Sequence, residues 1–405
     1  MAKKESIGLV KKNWVARFNL VGEAVINDFT FKINEKSQKS DWIYNSLNLG
    51  INCGEKYGTV YCELMGGFSE ERDNIVYVHG KKEDGTDDFE NQYTIDWDDR
   101  FDEDILKDIG DLCFTTVGLE KDSNEKTFYK KNLTPYDTIA YIKEYLENGM
   151  VVNVSGQLKY TMYNGNVYCR KEINSIALSA ATPDKYHATF TQTVLLDQDS
   201  CTKKSLDRDK SALIVDAYVL EKFKEFNGHD LTDNGKIKGG QLVPLRVTLE
   251  YPVDLTTDKG KTHINAVLGS DKMFKVKKGT VTQIAFEGEF IETGATVQVT
   301  MDDIRDDIKE LIEIGVFTEE EALARCADNG TNERKMIILK PNTKKVGDDD
   351  KKVTVINMEA EKFTDEDLLL DCLIPKEEED GEIVSTEEEA DTEETTDDAD
   401  WLNAL

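Results

Sequence analysis

Residues 151–179 read VVNVSGQLKYTMYNGNVYCRKEINSIALS, two long strands joined at Tyr163-Asn164-Gly165-Asn166. Asn-Gly tolerates the positive φ that a type I′ turn demands at both central positions, which makes this pair a strong short-range hairpin signal. Immediately upstream, Thr134 supplies an N-cap oxygen and Pro135 sits where a missing N–H costs nothing. The pair predicts a helix running to Asn148, with Gly149 as its stop.

The pattern continues outward from this core. Trp14, Ala16, Phe18 and Leu20 alternate with Val15, Arg17, Asn19 and Val21, the period-two pattern of a strand. WIYNSLNLGINCG and TVYCELMGGF follow as paired strands around Gly54 and Gly58, and Gly66-Gly67 marks a bulge or a close backbone approach. IVYVHG with YTIDW, and FTTVGL with TFYKKNL, give two further hairpins. Downstream, SAATPD at 179–184 is a domain junction, after which HATFTQTVLL, ALIVDAYVL, QLVPLRVTLEY, VTQIAFEGEF, MIILK and VTVINM read as strands. Thr300 is placed to cap a helix through Ile314, and Thr318 opens a second one through Ala327 with a capping box. Gly149 and Gly156, then Gly279 and Gly288, recur in the same order with strands between them, a faint echo of a duplicated barrel.

From about Pro375 the chain changes character, and KEEEDGEIVSTEEEADTEETTDDADWLNAL has almost no apolar residues before its last five. Such a segment cannot bury enough surface to offset its ordering entropy. The expected fold class is therefore mainly β with a few helices (α+β), ending in a disordered acidic tail. Its domains are 1–180, a second β-rich domain at 185–372 carrying the helical hairpin, and the tail at 376–405.

Charge narrows the functions open to such a chain. The 405 residues carry a net charge of −31, but it is unevenly spread. Residues 376–405 hold fourteen acids against Lys376 alone, and residues 70–104 hold fourteen against four bases, whereas 151–183 has three bases against Glu172. An acidic total therefore still permits a local nucleic-acid face. Seven scattered cysteines without a C-x-x-C pair, and four isolated histidines, signal free thiols and neither a metal nor a cofactor. The N-terminus lacks an apolar h-region and no apolar run reaches membrane-spanning length, which points to a cytoplasmic chain with no membrane partner.

Catalytic signatures are missing: there is no G-x-x-x-x-G-K-[ST] phosphate loop, no G-x-S-x-G elbow and no G-x-G-x-x-G after a strand. Asp96, Asp98, Asp99, Asp102, Glu103 and Asp104 are the one group able to hold divalent metals, and a solvated acidic surface accounts for them more simply. The 151–179 hairpin carries a different signal. Lys159, Tyr160, Tyr163, Tyr168, Arg170 and Lys171 interleave aromatics with cations on adjacent strands, as sequence-tolerant binding of a single strand requires: rings stack on bases while cations meet phosphates. The bland alternative is a strand pair whose tyrosines cap a core. Similar mixtures recur at Trp14 and Arg17, at Trp42 and Tyr44, and at Lys130 and Lys131 beside Phe128 and Tyr129.

Taken together, the β-hairpins, the helix before GMVVNVSG, the Y-x-x-Y-N-G hairpin and the acidic tail with an apolar tip resemble a phage-type single-stranded DNA-binding protein of the OB-fold kind. The resemblance covers residues 10–180 loosely and the tail clearly; 185–370 match no motif of that family. It implies OB-like barrels that bind single-stranded DNA in replication or recombination, in the host cytoplasm if the source is viral, and no enzymatic activity. It also implies that Asp397, Asp398, Asp400, Trp401, Leu402 and Leu405 recruit replication or recombination proteins. Two alternatives stay open: an acidic scaffolding or assembly protein, and a metal-dependent nuclease using the 96–104 carboxylates.

Overall fold

Strand β1 (Ala16–Val25) buries Phe18, Leu20 and Ala24 on one face, and both of its edges are used. The computed structural model describes residues 8–269, 273–293, 333–346 and 353–375. One edge of β1 pairs antiparallel with β4 (Val151–Tyr163); the other pairs through its last three residues with β2 (Trp42–Asn52). β2 pairs along its whole length with β3 (Thr59–Ser69), from Trp42 opposite Ser69 to Asn52 opposite Thr59. β3 then meets β5 (Asn166–Leu178) in parallel at Glu63 and Glu172, and β5 pairs antiparallel with β4. The order 1-2-3-5-4-1 closes a five-stranded OB-like barrel.

The second half repeats this plan. β6 (His187–Leu196), β7 (Ala212–Phe223), β8 (Gln241–Pro252), β9 (Thr280–Thr293) and β10 (Glu333–Pro341) pair in the order 6-7-8-10-9-6, again with a parallel contact, Glu250 opposite Ile337. The first half of β1 pairs antiparallel with β6, from Ala16 opposite Gln192 to Val21 opposite His187, so the two barrels share one continuous sheet.

The glycine echo has a physical basis in this repeat. Gly156 on β4 lies opposite Phe18 on β1, and a Cβ there would meet the Glu172 carbonyl oxygen at 1.8 Å and the Phe18 ring at 2.8 Å. Gly288 on β9 lies opposite Phe190 on β6, where a Cβ would meet the Ile337 oxygen at 2.2 Å and the Phe190 ring at 2.3 Å. Both glycines adjoin a register shift in the next strand pair. Each barrel thus needs a missing side chain where its fourth strand crosses the first-strand phenylalanine.

The helix α1 (Pro135–Tyr145) lies between β3 and β4, and the Thr134 side chain accepts from the Asp137 amide at 3.2 Å. Ile139 and Ile142 are buried under the first barrel. The helix ends three residues before the expected Asn148, because the chain is recaptured by β1: Asn148 Oδ1 accepts from the Ile26 amide, and the Gly149 N–H, at φ 83°, donates to the Ala24 carbonyl. A second helix, α2 (Asp258–Gly269), holds the same place between β8 and β9 and was not anticipated. The segment between β3 and α1 adds the hairpin Ile75–Lys81 with Asp87–Asp96, over its own small core of Val78, Ile95, Ile109 and Leu133. It also adds the hairpin Thr115–Lys121 with Thr127–Asn132, whose first strand runs parallel to β5. The helices expected over 300–327 and the tail at 376–405 lie outside the described residues, including Asp397, Asp398, Asp400, Trp401, Leu402 and Leu405.

Candidate nucleic-acid interface

Strand alternation sorts β2 and β3 into two faces. Leu47, Leu49 and Ile51, with Val60, Cys62 and Leu64, fill the barrel, which turns Tyr44, Ser46 and Asn48, with Tyr61, Glu63 and Met65, outward. At one end of this outer face Trp42 and Tyr44 stack, their ring centroids 5.1 Å apart and their planes within 16°. Gly67 lies opposite Tyr44 in an unbroken ladder; a Cβ there would come within 2.8 Å of the Trp42 indole and 2.1 Å of the Ile43 oxygen. Of the two readings for Gly66-Gly67, close approach is therefore the one realised, and it makes room for the indole. Tyr61 and Met65 extend the same face. Sequence reasoning passed over both, although the alternation of TVYCELM signals them.

The hairpin places its residues on both faces. Asn164 and Gly165 hold φ of 48° and 77°, as the type I′ turn requires, and Tyr163 is exposed at the tip. Lys159, Tyr168 and Arg170 turn outward. The two cations are each met by a carboxylate: Lys159 Nζ lies 2.7 Å from Glu172 Oε2, and the Arg170 guanidinium bonds Glu63. Lys131 pairs with Asp111 at 3.1 Å, and Lys130 sits 4.2 Å over the Tyr141 ring. The half-exposed pairs Lys159–Glu172 and Lys131–Asp111 contribute roughly 0–1 kcal/mol each, so an incoming phosphate can exchange with the acid at small cost, whereas Arg170 and Glu63 are mostly buried.

Three candidates belong to the interior instead. Tyr160 is buried, its hydroxyl donating to Gln192 Oε1 at 3.2 Å, and burial pushes its pKa well above the phenolic range. Lys171 is only 7% exposed, with Nζ 2.6 Å from Glu292 Oε1 and 4.6 Å from the Phe290 ring centre. Burial alone would lower its pKa, but the Glu292 carboxylate more than offsets this and holds the ammonium above its ordinary value. Both residues point inward for the same reason: they share the alternation phase of Leu158 and Ile173. Trp14 packs against both core clusters near the junction of the barrels. Arg17 is exposed on the outer face of β1, between Gln157 on β4 and Thr191 on β6.

No family model matches this chain, and no curated protein sequence matches it. Among solved structures, a deletion mutant of the single-stranded DNA binding protein from Thermus aquaticus aligns over 83% of this chain and 96% of its own, at 7% identity and a TM-score of 0.31. The wild-type protein from the same organism aligns over 83% and 95%, at 7% identity and a TM-score of 0.29.

In the second barrel the equivalent side of β7 is partly covered, Tyr218 packing on the cluster of Leu195, Leu220, Val281, Phe363 and Leu368. Tyr218 on β7 lies opposite Arg246 on β8; the guanidinium sits 5.5 Å from the ring centre and donates to the hydroxyl at 3.0 Å, while that hydroxyl donates to Asp197 at 3.1 Å. The 96–104 acids are dispersed over two short turns. Asp102 accepts from the Asp104 amide and Asp104 pairs with Lys107, and among the described residues no three His, Cys, Asp or Glu side chains converge as metal ligands. No helix among the described residues is long and apolar enough to cross a membrane.

Proposed function

We propose that this chain binds single-stranded DNA along the outer face of β2 and β3 and performs no chemistry on it. The observation that carries the reading is the stacked Trp42–Tyr44 pair on the outside of the second and third strands of an OB-like barrel. That face, with the loops flanking it, is where this architecture takes up oligonucleotides. Bases stack on the rings, and the cations Lys159 and Arg170, with Tyr163 at the hairpin tip, receive the backbone leaving the platform. The solved structures reported above are of proteins named for single-stranded DNA binding, which agrees with the reading. The protein coats and protects single strands during DNA replication or recombination, in a phage and hence in the host cytoplasm.

The tail at 376–405 recruits replication or recombination proteins through Trp401, Leu402 and Leu405, with Asp397, Asp398 and Asp400 meeting basic groups around the partner's pocket. Anisotropy titration of labelled oligo-dT tests the binding. Salt-sensitive association supports it; no association at low salt leaves the acidic scaffold in its place.

A further inference from the structure

We propose that the first barrel carries a second site on the outer face of β1, β4 and β5, where one base of a bound strand stacks on Tyr129 and a phosphate further along the same strand meets Arg17. The inference rests on the single-strand reading but concerns another side of the barrel. A cavity of about 390 Å³ opens there, within the size range of small-ligand sites. Its walls are Asn19 from β1, Asn153 and Ser155 from β4, Ser175 from β5, and Tyr129 from the neighbouring hairpin. The space arises from small residues. Ala177 pairs with Gly118, and a Cβ on Gly118 would lie 2.7 Å from the Tyr129 ring, so only glycine lets that ring close over the strand. Tyr129 remains 58% exposed.

The chemistry of the walls selects the ligand. None of the lining residues is charged, in a chain whose net charge is −31. A neutral polar cavity with an aromatic wall matches a nucleobase, whose edge donates and accepts hydrogen bonds while its face stacks. Carboxamides suit such an edge because each offers both a donor and an acceptor. Asn19 Nδ2 donates to Asn153 Oδ1 at 2.6 Å, and Asn19 Oδ1 meets His187 Nε2 at 2.7 Å, which fixes Asn19. The Asn153 amide NH₂ and the Ser155 and Ser175 hydroxyls have no hydrogen-bond partner among the described residues and face solvent.

Arg17 supplies the charge that the cavity lacks. It lies two residues from Asn19 on the same face of β1, roughly 7 Å along the strand. Unlike Lys159, Arg170 and Lys131, it has no ion-pair partner among the described residues. Glu287, whose carboxyl feels the Arg17 charge, is itself held by Lys340 at 3.1 Å and Asn342 at 2.7 Å. An exposed cation on the same face as a neutral base-sized cavity suits a short run of single strand, one base in the cavity and a phosphate beyond it on Arg17.

The test uses the full chain and labelled oligo-dT. Tyr129→Ala should weaken binding roughly tenfold without changing its salt dependence, while Tyr129→Phe, which keeps the ring, should bind as the unaltered chain does. Arg17→Ala should instead lower the slope of log affinity against log salt by about 0.7, the share of one single-strand phosphate. Photocrosslinking with an iodouracil-bearing oligonucleotide should label the peptide containing Tyr129. If the unaltered chain binds and both alanine variants match it in affinity and slope, the second site is refuted while the single-strand reading stands. If the unaltered chain does not bind oligo-dT, titration with thymidine monophosphate decides: Tyr129-dependent binding keeps the site and removes the strand, and no binding refutes both.

Discussion

Replacing Lys171 by methionine separates the interior role assigned to it from a DNA contact. The ammonium is 7% exposed and lies 2.6 Å from a Glu292 carboxylate that is itself 10% exposed. Removing one member of a buried pair leaves the other uncompensated, at a cost of about 3–5 kcal/mol. With a urea m-value of about 2 kcal/mol/M, that loss lowers the unfolding midpoint by roughly 1.5–2.5 M. The double variant Lys171→Met, Glu292→Leu removes both charges and should recover most of the loss. A pH dependence follows with a definite sign. The folded-state pKa of Lys171 is raised, so its contribution is complete below the unfolded value of about 10.4 and disappears as pH rises through the higher folded value. Unaltered protein should therefore lose an increment of stability above about pH 10.4 that Lys171→Met never possessed. Urea melts followed by circular dichroism measure all three. The reasoning fails if Lys171→Met melts as the unaltered chain does while its oligo-dT affinity and salt slope fall, for the side chain would then face DNA.

Other outcomes test separate steps. Tyr160→Phe should cost about 1 kcal/mol, the net worth of the hydrogen bond to Gln192, and leave oligo-dT affinity unchanged; weakened binding in a fully folded variant would return Tyr160 to the interface. Gly156→Ala and Gly288→Ala should each destabilise strongly, because the added Cβ meets a carbonyl oxygen at 1.8 Å or 2.2 Å. Thermal melts that tolerate one and not the other would show that the barrels are not built alike. Deleting residues 376–405 should tighten oligo-dT binding at low salt, since a tethered polyanion competes with phosphates. The gain should shrink as the Debye length falls from ~30 Å at 0.01 M to ~8 Å near physiological ionic strength, and a gain independent of salt would contradict competition by charge.

Much of the first barrel was legible because its signals are local. Asn164-Gly165 fixes a turn and Thr134-Pro135 starts a helix whatever surrounds them. The second barrel was harder to see. Its equivalence to the first rests on Gly288 crossing Phe190 as Gly156 crosses Phe18, a contact between strands about a hundred residues apart, of which sequence shows only a glycine. Helix α2 escaped notice because Gly260 and two lysines, Lys259 and Lys261, dilute its apolar face, leaving Ile264 and Val267 to anchor it. Among site residues, alternation put Lys159 and Tyr160 on opposite faces but could not say which face was wet. That depends on the second barrel, where Gln192 on β6, Glu221 on β7 and Met336 on β10 meet Tyr160. Lys171 looked like a phosphate contact because its partner, Glu292, is 121 residues away and comes from the other barrel.

The most direct test of the account is oligo-dT affinity in Trp42→Ala and Tyr44→Ala, measured by anisotropy across a salt series with folding checked by circular dichroism. Each ring that stacks on a base should cost about 1–3 kcal/mol of binding, with the salt slope unchanged. Unaltered affinity in both folded variants would contradict the account and place the strand, if it binds at all, on another face of the molecule.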